Sequence, residues 1–366
     1  MHTHWPERPK ASPADIAACR ELLRGGSRSF FAASFLLPRQ VREPAVSLYA
    51  FCRVADDAID LDADQVTALA RLQDRLARIY EGRPVPVSAD RALADLVVQF
   101  ALPRAILEGL LEGFAWDGEG RRYEDLAGLN AYAVRVAGTV GAMMAMLMGV
   151  RDPEVLARAC DLGVAMQLSN IARDVGEDAR NGRIYLPLGW LREAGIDPEA
   201  WLAQPVFTPA LGSVVRRLLQ EADLLYLRAG AGIARLPLAC QPGIWAARFL
   251  YAEIGREVAR AGFDSVSRRA VVSARRKMAL LARALAAPAF RDADVTVPPL
   301  EQARFLVQAV RDAPSPPRTA IARNAADDPS IGEQLVWVVD LFARLERMER
   351  MQRPVLRRGR EAGVVS

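Results

Sequence analysis

Two acidic clusters far apart in the chain have the residue types and spacing for chemistry: Asp56-Asp57-Ala58-Ile59-Asp60, and Asn170-Ile171-Ala172-Arg173-Asp174-Val175-Gly176-Glu177-Asp178. In a helix, Asp56 and Asp60 project from one face, as do Asp174 and Asp178, because residues four apart are neighbours. Like charges so placed repel and call for a cation. Hard oxygen ligands a few Å apart suit Mg²⁺ bridging to phosphate oxygens, which is diphosphate chemistry. The plainer alternative is two solvated helix faces. Against it, the first cluster follows Leu48-Tyr49-Ala50-Phe51-Cys52-Arg53-Val54-Ala55, and the second follows a segment with Leu162, Val164, Met166, Leu168 and Ile171. Carboxylates emerging from such surroundings are partly buried, where ionised groups are costly unless paired or metal-bound.

Each cluster carries a guanidinium suited to gripping phosphate in a bidentate way, Arg53 before Asp56 and Arg173 before Asp174. Gln167 and Asn170 share the second helix and add neutral amides. Ser27-Arg28-Ser29-Phe30 offers two hydroxyls and a guanidinium, and read alone it is a helix cap. Tyr49, Tyr132, Tyr185 and Tyr251 lie in hydrophobic helices or beside a motif, and each read singly is a core tyrosine. His2 and His4 are the only histidines and fall in the N-terminal tail, so a catalytic triad, a His-based zinc site and a His general base are excluded.

The elements that must position these residues are helical. Apolar residues recur at mixed three and four spacing over 14–25, 40–60, 64–81, 90–100, 103–116, 125–149, 153–180, 208–230, 242–262 and 268–287. Pro, Gly or capping residues bound many of them, such as Asp152-Pro153 and Asp197-Pro198. Alternating strand patterns are nearly absent, so the predicted class is all-α. The uncharged run from Val136 to Val150 is too short to span a bilayer and reads as a buried helix with a small-residue face of Gly138, Gly141, Ala142 and Ala145.

The chain has 366 residues, 51% hydrophobic and 25% charged, with a formal net charge of +4. That composition is ordinary for a soluble globular protein. The basic residues are almost all Arg and are scattered except at the C-terminus, which gives a nucleic-acid partner no support. Four widely spaced cysteines and no signal segment predict a cytoplasmic protein without disulfides. No linker divides 14–287. The predicted organisation is one catalytic domain over 14–300 and a helical extension over 301–366.

The motifs together resemble the squalene and phytoene synthases. Tyr132-Ala133-Val134-Arg135-Val136-Ala137-Gly138-Thr139-Val140-Gly141 looks like that family's first signature. Leu162-Gly163, Gln167, Asn170, Arg173-Asp174, Glu177-Asp178 and Arg183-Ile184-Tyr185-Leu186-Pro187 resemble the second. Ser27-Arg28-Ser29-Phe30 and Arg53-Val54-Ala55-Asp56-Asp57 stand in matching order. Within the family the chain is most similar to the bacterial 15-cis-phytoene synthases.

The resemblance implies an isoprenoid synthase helical bundle with a central apolar cavity and the acidic helices facing across its mouth. It implies Mg²⁺ or Mn²⁺ on Asp56, Asp60, Asn170, Asp174 and Asp178. It places diphosphates on Ser27, Ser29, Arg53, Arg173, Tyr251 and Arg268, supported by Asp57, Gln167, Glu177 and Arg183, with Tyr49, Tyr132 and Tyr185 among the catalytic groups. The implied reaction joins two geranylgeranyl diphosphates head to head into 15-cis-phytoene, the first committed step of carotenoid biosynthesis, with upstream or downstream carotenoid enzymes as partners. Small Ser34 and Val46 near the presumed wall leave room for a C20 chain. The competing reading is a squalene, dehydrosqualene or presqualene diphosphate synthase acting on farnesyl diphosphate. A catalytically silent lipid-binding relative would show damaged acidic motifs, and both are intact. No nucleotide cofactor is expected, since no G-x-G-x-x-G follows a strand. The segment 335–360 combines an apolar helical side with an Arg tract. It reads either as a peripheral contact with an anionic membrane surface or as a helix packed on the core.

Overall fold

The computed structural model describes residues 11–26, 34, 36–60, 64–287 and 296–316. Ser27, Arg28, Ser29, Phe30 and the 335–360 segment lie outside the described residues, as does the side chain of Asp60. Among the described residues there are helices and no strand, as the spacing predicts. In chain order the helices are α1 (Pro13–Gly26), α2 (Arg39–Asp60), α3 (Gln65–Tyr80), α4 (Ser88–Gln99), α5 (Arg104–Gly118), α6 (Leu126–Ala133) and α7 (Thr139–Leu147). Then come α8 (Pro153–Arg180), α9 (Leu188–Glu193), α10 (Pro198–Ala203), α11 (Pro209–Ile233), α12 (Gln241–Arg260), α13 (Ala274–Ala286) and α14 (Arg304–Asp312). No helix among the described residues is long and apolar enough to cross a membrane.

Helix α8 is the axis of the bundle. The Asp152 side chain accepts from the Glu154 and Val155 amides, and Pro153 occupies the first turn, where a missing N–H costs nothing. The helix is buried on most of its surface from Val155 to Ala179, as a central helix must be. It packs most extensively on α11 and also meets α7 and α12.

Glycines set how closely the neighbours approach. A Cβ on Gly163 would lie 2.2 Å from the Ala137 carbonyl oxygen, and one on Gly141 would lie 2.2 Å from that of Ala159. Backbone therefore meets backbone where α8 crosses the 134–147 region.

The expected single helix over 125–149 is instead α6, a π-helical turn at Val134–Gly138, and α7. A π turn takes in one extra residue, and such turns recur at functional sites. The expected helix over 268–287 begins only at Ala274, capped by Ser273, and residues before it form a loop that shapes the site.

Two buried ionic groups fasten the outer elements. Arg158 and Asp161 are fully buried and paired at 2.9 Å, and Arg228 reaches the same carboxylate at 3.0 Å. Both guanidiniums donate to the Pro298 carbonyl, at 3.3 and 2.7 Å, tying the 296–316 segment to α8 and α11. Burial pushes the Asp161 carboxyl up to about 6 despite the two arginines. On α12, the fully buried Glu253 carboxylate accepts from Arg256, Arg260 and Arg276, which joins α12 to α13. Burial alone would raise Glu253, but the three guanidiniums outweigh it and hold the group at about 2. Beyond residue 300, Ala303, Leu306, Val307 and Val310 are buried, so α14 packs on the bundle.

Candidate active site

An apolar cavity of about 310 Å³ runs beside α8. Its wall is made by residues of α2, the π turn, α7, α8, α11 and α12, among them Leu48, Val140, Met144, Leu162, Met166 and Ile244. Along α8 the lining extends from Val155 to Asn170, a helical length of about 22 Å at 1.5 Å per residue. Ser34 lines it too. Of its polar lining, Gln167 and Asn170 stand at the far end of that stretch with Tyr49 and Tyr251, which lie near each other and near Arg173, while Arg158 lines it near Val155. Tyr49 is one helical turn before Arg53, and Asn170 one turn before Asp174. The polar end therefore adjoins both acidic clusters.

On α2, Arg53 makes an ion pair with Asp57 at 2.6 Å and approaches Asp56 at 3.6 Å. All three are partly exposed, so this pairing is weak and open to exchange for a diphosphate. Asp60 closes the helix. Tyr251 stands between the two acidic helices. It lies near Tyr49 of α2, and the Arg173 charge on α8 acts on it. Burial raises both phenols above their ordinary value.

On α8, Arg173 grips Asp174 in a bidentate way at 2.8 and 2.5 Å. A second guanidinium, Arg269, reaches the same carboxylate at 2.7 and 3.3 Å and lies 3.3 Å from Glu177. Arg268, the residue the sequence resemblance points to, is exposed and donates to the Ala261 carbonyl at 3.4 Å. The loop before α13 decides which arginine reaches the site. Gly176 has no side chain, and its amide donates to the Ser265 carbonyl at 3.0 Å. A Cβ there would lie 2.4 Å from the Val266 carbonyl oxygen. The Asp264 carboxylate caps the turn by accepting from the Val266 and Ser267 amides.

The two members of the second acid pair differ in state. Burial would raise Asp174, but the hydrogen bonds from Arg173 and Arg269 prevail and hold its carboxyl below the ordinary range. Asp178 has no such grip. Burial, together with the charges of Asp174 and Glu177, pushes it up to about 7 against the weaker pull of Arg183. A buried carboxylate short of compensating charge is what a cation would relieve. Among the described residues, no three acidic groups yet stand close enough to chelate one ion. The hard oxygen donors fit Mg²⁺ or Mn²⁺ chemically, and the present partners of Asp56 and Asp174 include guanidiniums.

The structure adds one carboxylate that sequence reading passed over. Asp117, near the end of α5, accepts from the Tyr132 hydroxyl at 2.7 Å and the Tyr185 hydroxyl at 2.6 Å. The rings of Tyr123, Tyr132 and Tyr185 stack in sequence, with centroids 5.4 and 5.3 Å apart. Tyr185 also shares a small pocket with Asp178 and Arg183.

This geometry has counterparts among known proteins. Residues 23–276 match the squalene/phytoene synthase family. The chain is a member of that family. The phytoene synthase of Cereibacter sphaeroides is 56% identical over 278 residues, which span 73% of this chain and 78% of that protein. The 15-cis-phytoene synthase of a Paracoccus species is 44% identical over 73% of this chain and 89% of that one. Among solved structures, a dehydrosqualene synthase in complex with a ligand superposes with a TM-score of 0.68 at 30% identity, over 75% of this chain and 96% of that one. Within the squalene/phytoene synthase family, then, this chain has both acidic helices and an apolar cavity between its central helices.

Proposed function

We propose that the protein joins two geranylgeranyl diphosphates head to head, through prephytoene diphosphate, to give 15-cis-phytoene. The observation that carries this reading is an apolar cavity whose polar end adjoins two acid pairs, each with its own arginine. A C20 chain of four isoprene units is comparable in length to the stretch of α8 that lines the cavity. The resemblance to the phytoene synthase of C. sphaeroides supports the C20 substrate over the C15 one.

Arg53, Arg173 and Arg269 are placed to take diphosphate oxygens, and Gln167 and Asn170 to orient them from the cavity wall. Asp56, Asp60, Asn170, Asp174 and Asp178 would hold Mg²⁺ or Mn²⁺, whose charge stabilises a departing diphosphate. The apolar wall excludes water that would quench the cations: attack by the second chain's double bond and loss of one proton close the cyclopropane of prephytoene diphosphate, and departure of the second diphosphate, rearrangement and a second proton loss then give phytoene. Ser27 and Ser29 remain proposed diphosphate contacts from their motif alone.

Purified protein with Mg²⁺ and labelled geranylgeranyl diphosphate should form phytoene with no reductant. A clear preference for farnesyl diphosphate, or a product that requires NADPH, would move the protein to the squalene-type reading, which the likeness to a dehydrosqualene synthase makes the natural alternative.

The product is a C40 hydrocarbon, which gives contact with a bilayer a use and makes a later carotenoid enzyme its natural consumer. The 335–360 segment is our proposed membrane contact. The full chain should bind anionic liposomes in a salt-sensitive way, and a chain ending at residue 330 should keep turnover and lose that binding. An aggregated truncation would instead assign the segment to core packing.

A further inference from the structure

Asp117 lies outside both acid pairs, yet its charge is among those that act on Asp178. One of its carboxylate oxygens takes the Tyr132 hydroxyl and the other takes that of Tyr185. A phenol has a single O–H, and a proton given to a carboxylate cannot also be given to a ligand. We propose that Asp117 is a positioning residue of the active site which, by accepting the hydroxyl protons of Tyr132 and Tyr185, presents both phenol oxygens to the reaction zone as acceptors only.

The consequence concerns which part of the reaction these tyrosines serve. Diphosphate oxygens are themselves acceptors, so phenols held this way give them no hydrogen bond. They face positive charge with lone pairs and with the electron-rich faces of stacked rings, which suits a carbocation intermediate. The site also keeps them protonated. Burial and the nearby Asp117 charge raise Tyr132 and Tyr185 well above the ordinary phenol value, so neither is a ready base. Tyr132 is one turn before Val136, which lines the cavity, and Tyr185 shares a pocket with Asp178. The triad is thus built from α5, α6 and the loop after α8.

The inference rests on the proposed prenyl condensation, and the unmodified protein is its control. If that protein turns over neither the C20 nor the C15 diphosphate, the functional reading fails; the Asp117 comparison is made with whichever substrate is used. Asp117→Asn should lower kcat at least tenfold, while binding of an unreactive thio-analogue of the substrate, measured by calorimetry, stays within twofold. Adding Asp117→Asn to Tyr132→Phe/Tyr185→Phe should cost less than a further twofold, because residues that act through one another are not additive. The proposal is overturned by full turnover in Asp117→Asn, by a loss that lies in binding instead, or by losses that multiply. Should Asp117→Asn fail to fold, the double phenylalanine variant decides: a tenfold loss of kcat with unchanged analogue binding supports the proposal, and retained turnover sinks it.

Discussion

Asp174→Asn and Asp56→Asn should each leave a folded protein whose kcat/KM falls on the order of 10³-fold. Arg53 is 43% exposed, so its guanidinium has water to return to and the pairing lost in Asp56→Asn costs about 1 kcal/mol. Around Asp174, Arg269 is 53% exposed but Arg173 only 19%, so Asp174→Asn costs more, about 1.5–3 kcal/mol, which a domain of this size can survive. The metal assignment has a separate readout in thermal unfolding. Asp174, held below its ordinary value, supports the folded state at neutral pH and loses that support as the pH falls. Asp178 runs the other way. With its carboxyl raised to about 7, it lowers stability as the pH rises from the ordinary carboxylate range to about 7, above which the cost is complete and constant, and a bound cation would remove that cost. Mg²⁺ should therefore raise Tm in the unmodified protein, more above pH 7 than below it, and do so far less in Asp174→Asn. Wild-type turnover in either variant at saturating Mg²⁺ would refute the assignment.

Gly163→Ala should be the most damaging single-methyl change in the cavity wall. The new Cβ would meet the Ala137 carbonyl oxygen at 2.2 Å and the Gly138 amide nitrogen at 3.0 Å. Both are backbone, so no side chain can swing away. Helix α8 must move off the π turn as a body, at a cost of about 3 kcal/mol or more, the upper end for overpacking. Gln167, Asn170 and Asp174 ride on the same helix, so activity should fall further than the unfolded fraction explains. Chemical denaturation and turnover per folded molecule measure the two effects. Ala at Gly120, where an added Cβ would meet nothing within 4 Å, should leave turnover intact and be strained only by its positive φ.

Features that depend on neighbours in the chain were legible in the sequence. The i, i+4 acid pairs, the Asp152-Pro153 start of α8 and the small-residue face around Gly141 all follow from helical periodicity, and the helices bear them out. What escaped depends on contacts between distant segments. Asp117 reads as an ordinary helix-end acid until its partners arrive 15 and 68 residues later. The choice between Arg268 and Arg269 cannot be counted along a helix, because that stretch is a loop whose register is set by Gly176 meeting Ser265. The glycine inside the acidic motif was the one signal of it. The π turn leaves no periodic trace, since the run around it is apolar nearly all the way round and an extra residue shifts no visible stripe.

That turn makes chain length itself a constraint. Val134–Gly138 takes in one residue more than an α turn would, which rotates all that follows by about 100° relative to an uninterrupted helix. Tyr132 ahead of the turn and Gly141 behind it face Asp117 and Ala159 only in that phase. Conservative swaps within 134–138 are thus a milder perturbation than losing any one of those residues. A deletion would restore regular helix while turning either the tyrosine or the glycine away from its partner. Between relatives, this stretch should accept changes of letter far more readily than gaps.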